Sequence, residues 1–186
     1  MFARIFMERF PLLPVEEEGR LHDPVLRENF IECIFVFQRW RELLTANPHL
    51  GDLVAFHTRH KLLILAHSPN HYRELGRLVA QGKEIPAQEL YEQYQSRLME
   101  ALRLKATPKK NTNVLQHLMG YFKKDLTADE KQELREVIEH YYQGYVPLVV
   151  PITLINHYVR KYNQPYLQEQ VYLHPHPLEL QLRNHV

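Results

Sequence analysis

The sequence is poor in cysteine and glycine and has no long apolar run. Cys33 is the lone cysteine among 186 residues. This excludes an internal disulfide framework and a thiolate cage for zinc or an iron–sulfur cluster, and it points to a reducing compartment. No stretch approaches the roughly 20 apolar residues that a membrane-crossing helix needs. The opening "MFARIFMERF" lacks the basic n-region, long apolar h-region and small-residue cleavage site of a signal peptide. A cytoplasmic location is therefore expected. Six glycines leave few tight hairpin turns. Apolar–polar alternation is nowhere sustained long enough for a sheet, and no internal repeat or low-complexity tract is present.

What is present is helical punctuation. Hydrophobic residues make up 45% and charged residues 24%, an ordinary globular balance for one domain. "PLLPVEEEGRLHDP" (11–24) is a proline-bounded acidic connector. Asp23 then caps a helix with Pro24 at its first position, and Phe30, Ile34, Phe37 and Arg41 recur along it at helical spacing. Further helices are expected over Leu50 to His67, from the cap Ser68 and Pro69 to Gly82, and from Pro86 to about Leu104. "KATPKKNTN" reads as a loop before a short helix capped by Asn111 or Thr112. Thr127 and Glu130 form a capping box. Pro147 and Pro151 argue against a central strand, and Pro151 is expected to start a helix through Lys161. The fold class is all-α, a single compact domain of about seven or eight helices. Residues 1–22 read as a linker or the tail of an upstream domain, and 23–186 as the helical domain.

Net charge is +1, but it is unevenly spread. Residues 51–124 carry 12 Lys and Arg against 6 Asp and Glu, whereas the segments on either side are both net acidic. A basic middle is an electrostatic footprint for a polyanion, although helical surfaces carry many solvated charges in any case.

The middle contains "FHTRHKLLILAHSPNHYRELGRLV" (56–79), with four histidines. At about 100° per residue, His57, His60 and His67 share a face with Leu53, Phe56 and Ile64, so buried histidines bonded to helix ends or tyrosines are one reading. A metal site is disfavoured: "HTRHK" lacks the glutamate and the spacing of HExxH, and Arg59 and Lys61 would repel a dication. A Ser68–His71 nucleophile pair is disfavoured because a capping serine has its oxygen engaged. No metal, cofactor or catalytic residue is therefore assigned. The remaining reading is an anion site at the start of the helix near Pro69, with its free N–H groups and positive dipole end, surrounded by His67, Asn70, His71 and Arg73. The same ingredients recur at "KATPKKNTNVLQH", where Lys105, Lys109 and Lys110 precede a helix bearing Asn113 and His117, with Lys123 and Lys124 at its end. Two basic helix entrances fit a polyanion better than one metabolite. Tyrosines such as Tyr72 add surfaces on which unpaired bases stack.

The segments "AHSPNHYRELGRLVA", "NTNVLQHLMGYFKKDL", "YVPLVVPITLINHYVRKY" and "YLHPHPLELQLRNHV" resemble the bacterial YbgA-like domain over roughly residues 23–186. In many relatives that domain follows a cysteine-rich domain similar to iron–sulfur thiouracil desulfurases. The cluster cysteines are absent from this chain, so the resemblance implies an accessory role: a non-enzymatic RNA-binding module, for tRNA, working with a desulfurase-like domain in cis or in trans. Arg59, Lys61, Arg73, Arg77, Lys109, Lys110, Lys123 and Lys124 are the expected phosphate contacts, and His71, Tyr72, Asn113 and His117 would refine placement. The alternatives are a small enzyme or nucleotide-binding protein using a histidine-lined cleft, and a protein-interaction module.

Overall fold

The structure is a computed structural model that describes residues 2–177, 180 and 182–185. Among these residues there is no strand. Nine α-helices are present: α1 (Phe2–Arg9), α2 (Pro24–Thr45), α3 (Leu50–His67), α4 (Pro69–Ala80), α5 (Ala87–Leu102), α6 (Pro108–Tyr121), α7 (Ala128–Tyr142), α8 (Val149–Lys161) and α9 (Pro165–Gln168). Two 3₁₀ turns, Glu18–His22 and Val171–Leu173, complete the set. The all-α expectation holds. The helices it did not include are α1, ahead of the acidic connector, and the one-turn α9.

Local chemistry explains most helix starts. The Asp23 carboxylate accepts from the Val25 and Leu26 amides at 2.8 and 3.1 Å, with Pro24 next. Ser68 accepts from the His71 amide, and Thr127 and Glu130 cap each other as a box. Two starts differ from the sequence expectation. Helix α6 is capped by Thr107, with Pro108 at its first position, so Lys109 and Lys110 lie inside the first turn rather than before it. Helix α8 starts at Val149, and Pro151 sits within its first turn, where its missing N–H costs nothing.

Helix α3 is the axis of the core. Leu53, Phe56, His57, His60 and the whole run Leu62–His67 are buried, because α4, α5, α6 and the second 3₁₀ turn all pack on it. Trp40 of α2 stacks on Tyr94 of α5 at 5.1 Å and meets the Phe56 ring edge-on at 5.2 Å. Helices α6, α7 and α8 form the adjoining layer. The C-terminal segment folds back onto it: the Val149 amide donates to the Arg183 carbonyl at 3.1 Å. No helix among the described residues is long and apolar enough to cross a membrane.

Candidate functional site

The four histidines of 56–79 go to four different places, so they do not line one cleft. His57 Nδ1 pairs with the Tyr94 hydroxyl at 3.0 Å. His60 Nδ1 lies 2.7 Å from the Phe56 carbonyl one turn back. Both rings are buried, as their helical face implies. Burial pulls the His57 pKa down to about 4, helped by Lys61. It pulls His60 down to about 3, overcoming the hydrogen bond to the Phe56 carbonyl, and the charges of Arg39 and Arg59 act in the same downward sense. His67 is fully buried beneath the α3–α4 junction, and so does not belong to the surface anion site expected there. His71 alone faces outward at the start of α4. The Ser68 hydroxyl pairs with His71 Nδ1 at 2.8 Å and accepts from the His71 amide at 3.3 Å. With Ser68 only 5% exposed, this is a closed cap rather than a nucleophile.

The basic groups fall on more than one face. Lys110 Nζ donates to the carbonyls of His67, at 2.7 Å, and Lys105, at 2.9 Å. That ammonium therefore fastens the first turn of α6 to the end of α3, where α4 begins, and brings the two helix entrances together. Burial lowers the Lys110 pKa. Along α6, Lys109, Asn113, His117 and Tyr121 recur every four residues and so share a face; Lys109, His117 and Tyr121 are exposed. Tyr121 stacks on Tyr166 at 5.1 Å, and the Lys61 ammonium sits 5.2 Å from the Tyr166 ring centre. Tyr72 stands near enough to be felt by the Tyr166 phenol. Arg73 and Arg77 are exposed one turn apart on α4, with Arg73 donating to Asn70 at 2.6 Å. Lys123 and Lys124 are exposed in the turn after α6. Arg59 is not part of this face. It is two residues from Lys61, about 200° round the helix, and it borders a groove with Arg39 and Glu169.

A buried polar network went unread in the sequence. Arg183 donates to Glu28 at 3.0 Å, to Glu32 at 2.8 Å and to the Tyr172 carbonyl at 2.7 Å. His185 pairs with the other Glu28 oxygen at 2.7 Å and His67 with the other Glu32 oxygen at 3.0 Å, while His67 Nδ1 meets the Leu104 carbonyl at 2.8 Å. Burial raises the Glu32 pKa, but the His67 hydrogen bond and the Arg183 charge overcome this and hold it at about 2. Asn111, expected as a helix cap, is instead buried in α6, donating to Tyr141 and accepting from Tyr172. All of these residues except His67 and Leu104 border a cavity of about 220 Å³. Glu28, Glu32 and His176 offer metal-ligating atoms within 4.8 Å of one another. Arg183 already pairs with both carboxylates, so a cation would have to displace it. The only sequence signal for the network was Glu28 and Glu32 four apart in an otherwise apolar helix.

The family described as a protein of unknown function, DUF1722, matches residues 61–177, more than half of the chain. The chain belongs to the DUF1722 family. It is also similar to the uncharacterized protein YbgA of Escherichia coli (strain K12), at 37% identity over 152 residues, 81% of this chain and 90% of that protein. No solved structure matches. The DUF1722 segment begins at Lys61 and takes in every expected contact residue except Arg59, together with Tyr121 and Tyr166. Glu28, Glu32 and Arg183 lie outside it.

Proposed function

We propose that this DUF1722 chain is a non-enzymatic RNA-binding module that holds tRNA for a thiouracil-desulfurase-like catalyst, joined in cis or acting in trans. The observation that carries the reading is the Lys110 bridge to the His67 carbonyl, which puts two helix N-termini and their basic residues side by side. Helix N-termini offer free N–H groups and positive dipole ends to phosphates. At the other end of α6, Tyr121 with Tyr166 and Lys61 adds what unpaired bases use, a cation beside stacking rings. The excess of basic residues in 51–124 supports the same reading.

Fluorescence titration of tRNA against salt tests it. Phosphate contacts give a log–log slope of about −0.7 to −0.9 per contact. Lys109 and Arg73 are exposed, so Lys109→Glu with Arg73→Glu should cost under about 0.5 kcal/mol of stability each. Affinity should fall at least about tenfold at moderate salt and the slope should shrink. Lys83→Glu, exposed in the turn after α4, is the net-charge control for Lys109→Glu alone, since each changes the charge equally. Equal weakening by both variants would mean that overall charge alone matters. No weakening by either would refute binding at this face and move the protein-interaction reading ahead.

A further inference from the structure

A second set of unspent hydrogen-bonding groups lies in the groove bordered by Arg59. This groove, about 530 Å³, runs between α2, α3 and the segment around Glu169 and Val171. His60 lines it and is only 2% exposed. Its Nδ1 faces a carbonyl, which can only accept, so Nδ1 carries the proton and Nε2 presents a bare lone pair. His60 Nε2 has no hydrogen-bond partner among the described residues. Arg39 lines the same groove. Its Nη2 donates to the Pro175 carbonyl at 2.8 Å, and its Nη1 is likewise buried and unpartnered. Buried polar groups are rarely left unpaired, and here an acceptor and a donor stand unpaired on two residues that line one groove, both shielded from solvent until the lining side chains shift to admit a ligand.

We propose that this groove is a ligand site for the hydrogen-bonding edge of a neutral planar heterocycle, an unpaired nucleobase, with Arg39 Nη1 donating to it and His60 Nε2 accepting from it. The charges around the groove select against ions. A lone pair on His60 and the carboxylates of Glu42 and Glu169 disfavour an anion; Arg39 and Arg59 disfavour a metal cation. The low His60 pKa keeps the imidazole neutral, and so accepting, at physiological pH. Every nucleobase carries a donor beside an acceptor on its pairing edge, which unpaired RNA exposes. Leu43 and Val171 supply apolar flanks for a ring, and Arg59, exposed at the rim, is left for the attached phosphate. The source of the base rests on the RNA reading; the site itself rests on the groove.

The test uses the full chain labelled with ¹⁵N-histidine. Uridine, cytidine, adenosine, guanosine and inorganic phosphate are titrated separately, and long-range ¹H–¹⁵N spectra follow His60 Nε2. At least one nucleoside should move Nε2 toward its hydrogen-bonded shift, and phosphate should not. Arg39→Met should weaken that nucleoside about tenfold, and it should lower tRNA affinity without changing the salt slope, unlike Lys109→Glu. Arg39→Lys, which keeps the charge but loses the guanidinium fork, serves if the methionine variant does not fold. No movement with any nucleoside while tRNA still binds would overturn the groove and leave the RNA reading standing. Nucleoside binding without tRNA binding would do the reverse. Equal movement with phosphate would make this an anion site and sink the proposal.

Discussion

Arg183 holds the C-terminal segment to the core through one buried guanidinium. It is 7% exposed and bonds two carboxylates of α2 and a carbonyl of the second 3₁₀ turn. A buried ion pair adds little net stability over a well-packed apolar replacement, but removing one partner strands the other. Arg183→Met would leave Glu28 and Glu32 buried side by side with only histidines to answer them. The expected cost is about 3–5 kcal/mol, read as a shift of the urea midpoint. A loss below about 1 kcal/mol would mean that the segment lifts away and lets water reach the carboxylates. Cys33 shows the opposite behaviour. Burial pushes its thiol up to about 12, so it packs as a small apolar side chain rather than a nucleophile.

At the scale of elements, the sequence expresses helix type and most boundaries in its own chemistry, and faces less reliably. Capping residues acted locally, so α2, α3, α4 and α7 begin where Asp23, the break at Asn47–Pro48, Ser68 and Thr127 place them. The inner stripe of α5, Leu90, Tyr94, Leu98, Ala101 and Leu102, is buried as its spacing implies. On α2 the recurring residues Phe30, Ile34, Phe37 and Arg41 mark a helix but not its buried face. The buried face is Glu28, Glu32, Cys33, Val36 and Trp40, while Phe30, Ile34 and Phe37 are half-buried and Arg41 is exposed. Two glutamates look like a solvent face until an arginine more than 150 residues away pairs with both, and no local pattern reveals that partner. The α6 start was misplaced because Thr107 and Asn111 are both good caps, and only packing assigns Asn111 to the tyrosines. Gly82 is a case where packing decides at close range. A Cβ there would lie 2.6 Å from Leu50 Cδ1, and 3.1 Å from both Leu90 Cδ2 and the Val79 carbonyl. The leucine tip can move; the carbonyl cannot. Gly82→Ala should therefore destabilise by about 1–3 kcal/mol, measured as a lower melting temperature, with the α4–α5 turn pushed off the start of α3. An unchanged or higher melting temperature would show that the turn has slack.

At the scale of the molecule, buried titrating groups on α2 and α3 act in the same direction on acidification. His57 and His60 are held neutral in the fold, at about 4 and about 3, against an ordinary 6.5. Between pH 6.5 and those values the unfolded chain binds protons that the folded chain refuses, so stability falls as pH falls. His174, though exposed, is lowered too, by partial desolvation and then by the charges of Arg183 and Arg160, in the same sense. Glu32 is the opposite charge type with the same consequence. Its folded value of about 2 lies below an ordinary 4.5, so the stability it confers is present above 4.5 and is lost on descending toward 2. Stability attributable to these groups should therefore be level above about pH 7 and decline without a recovering limb below it. Near pH 5, proton uptake by His57 and His60 alone gives a slope of about 2–3 kcal/mol per pH unit. Urea unfolding from pH 8 to pH 4 measures it. The double variant His57→Gln with His60→Gln should flatten the limb between 6.5 and 4 and spare the later loss due to Glu32. If the wild-type curve is already flat from pH 7 to 5, water reaches these imidazoles in the folded state, and the groove proposed beside His60 would lose the neutral acceptor on which it depends.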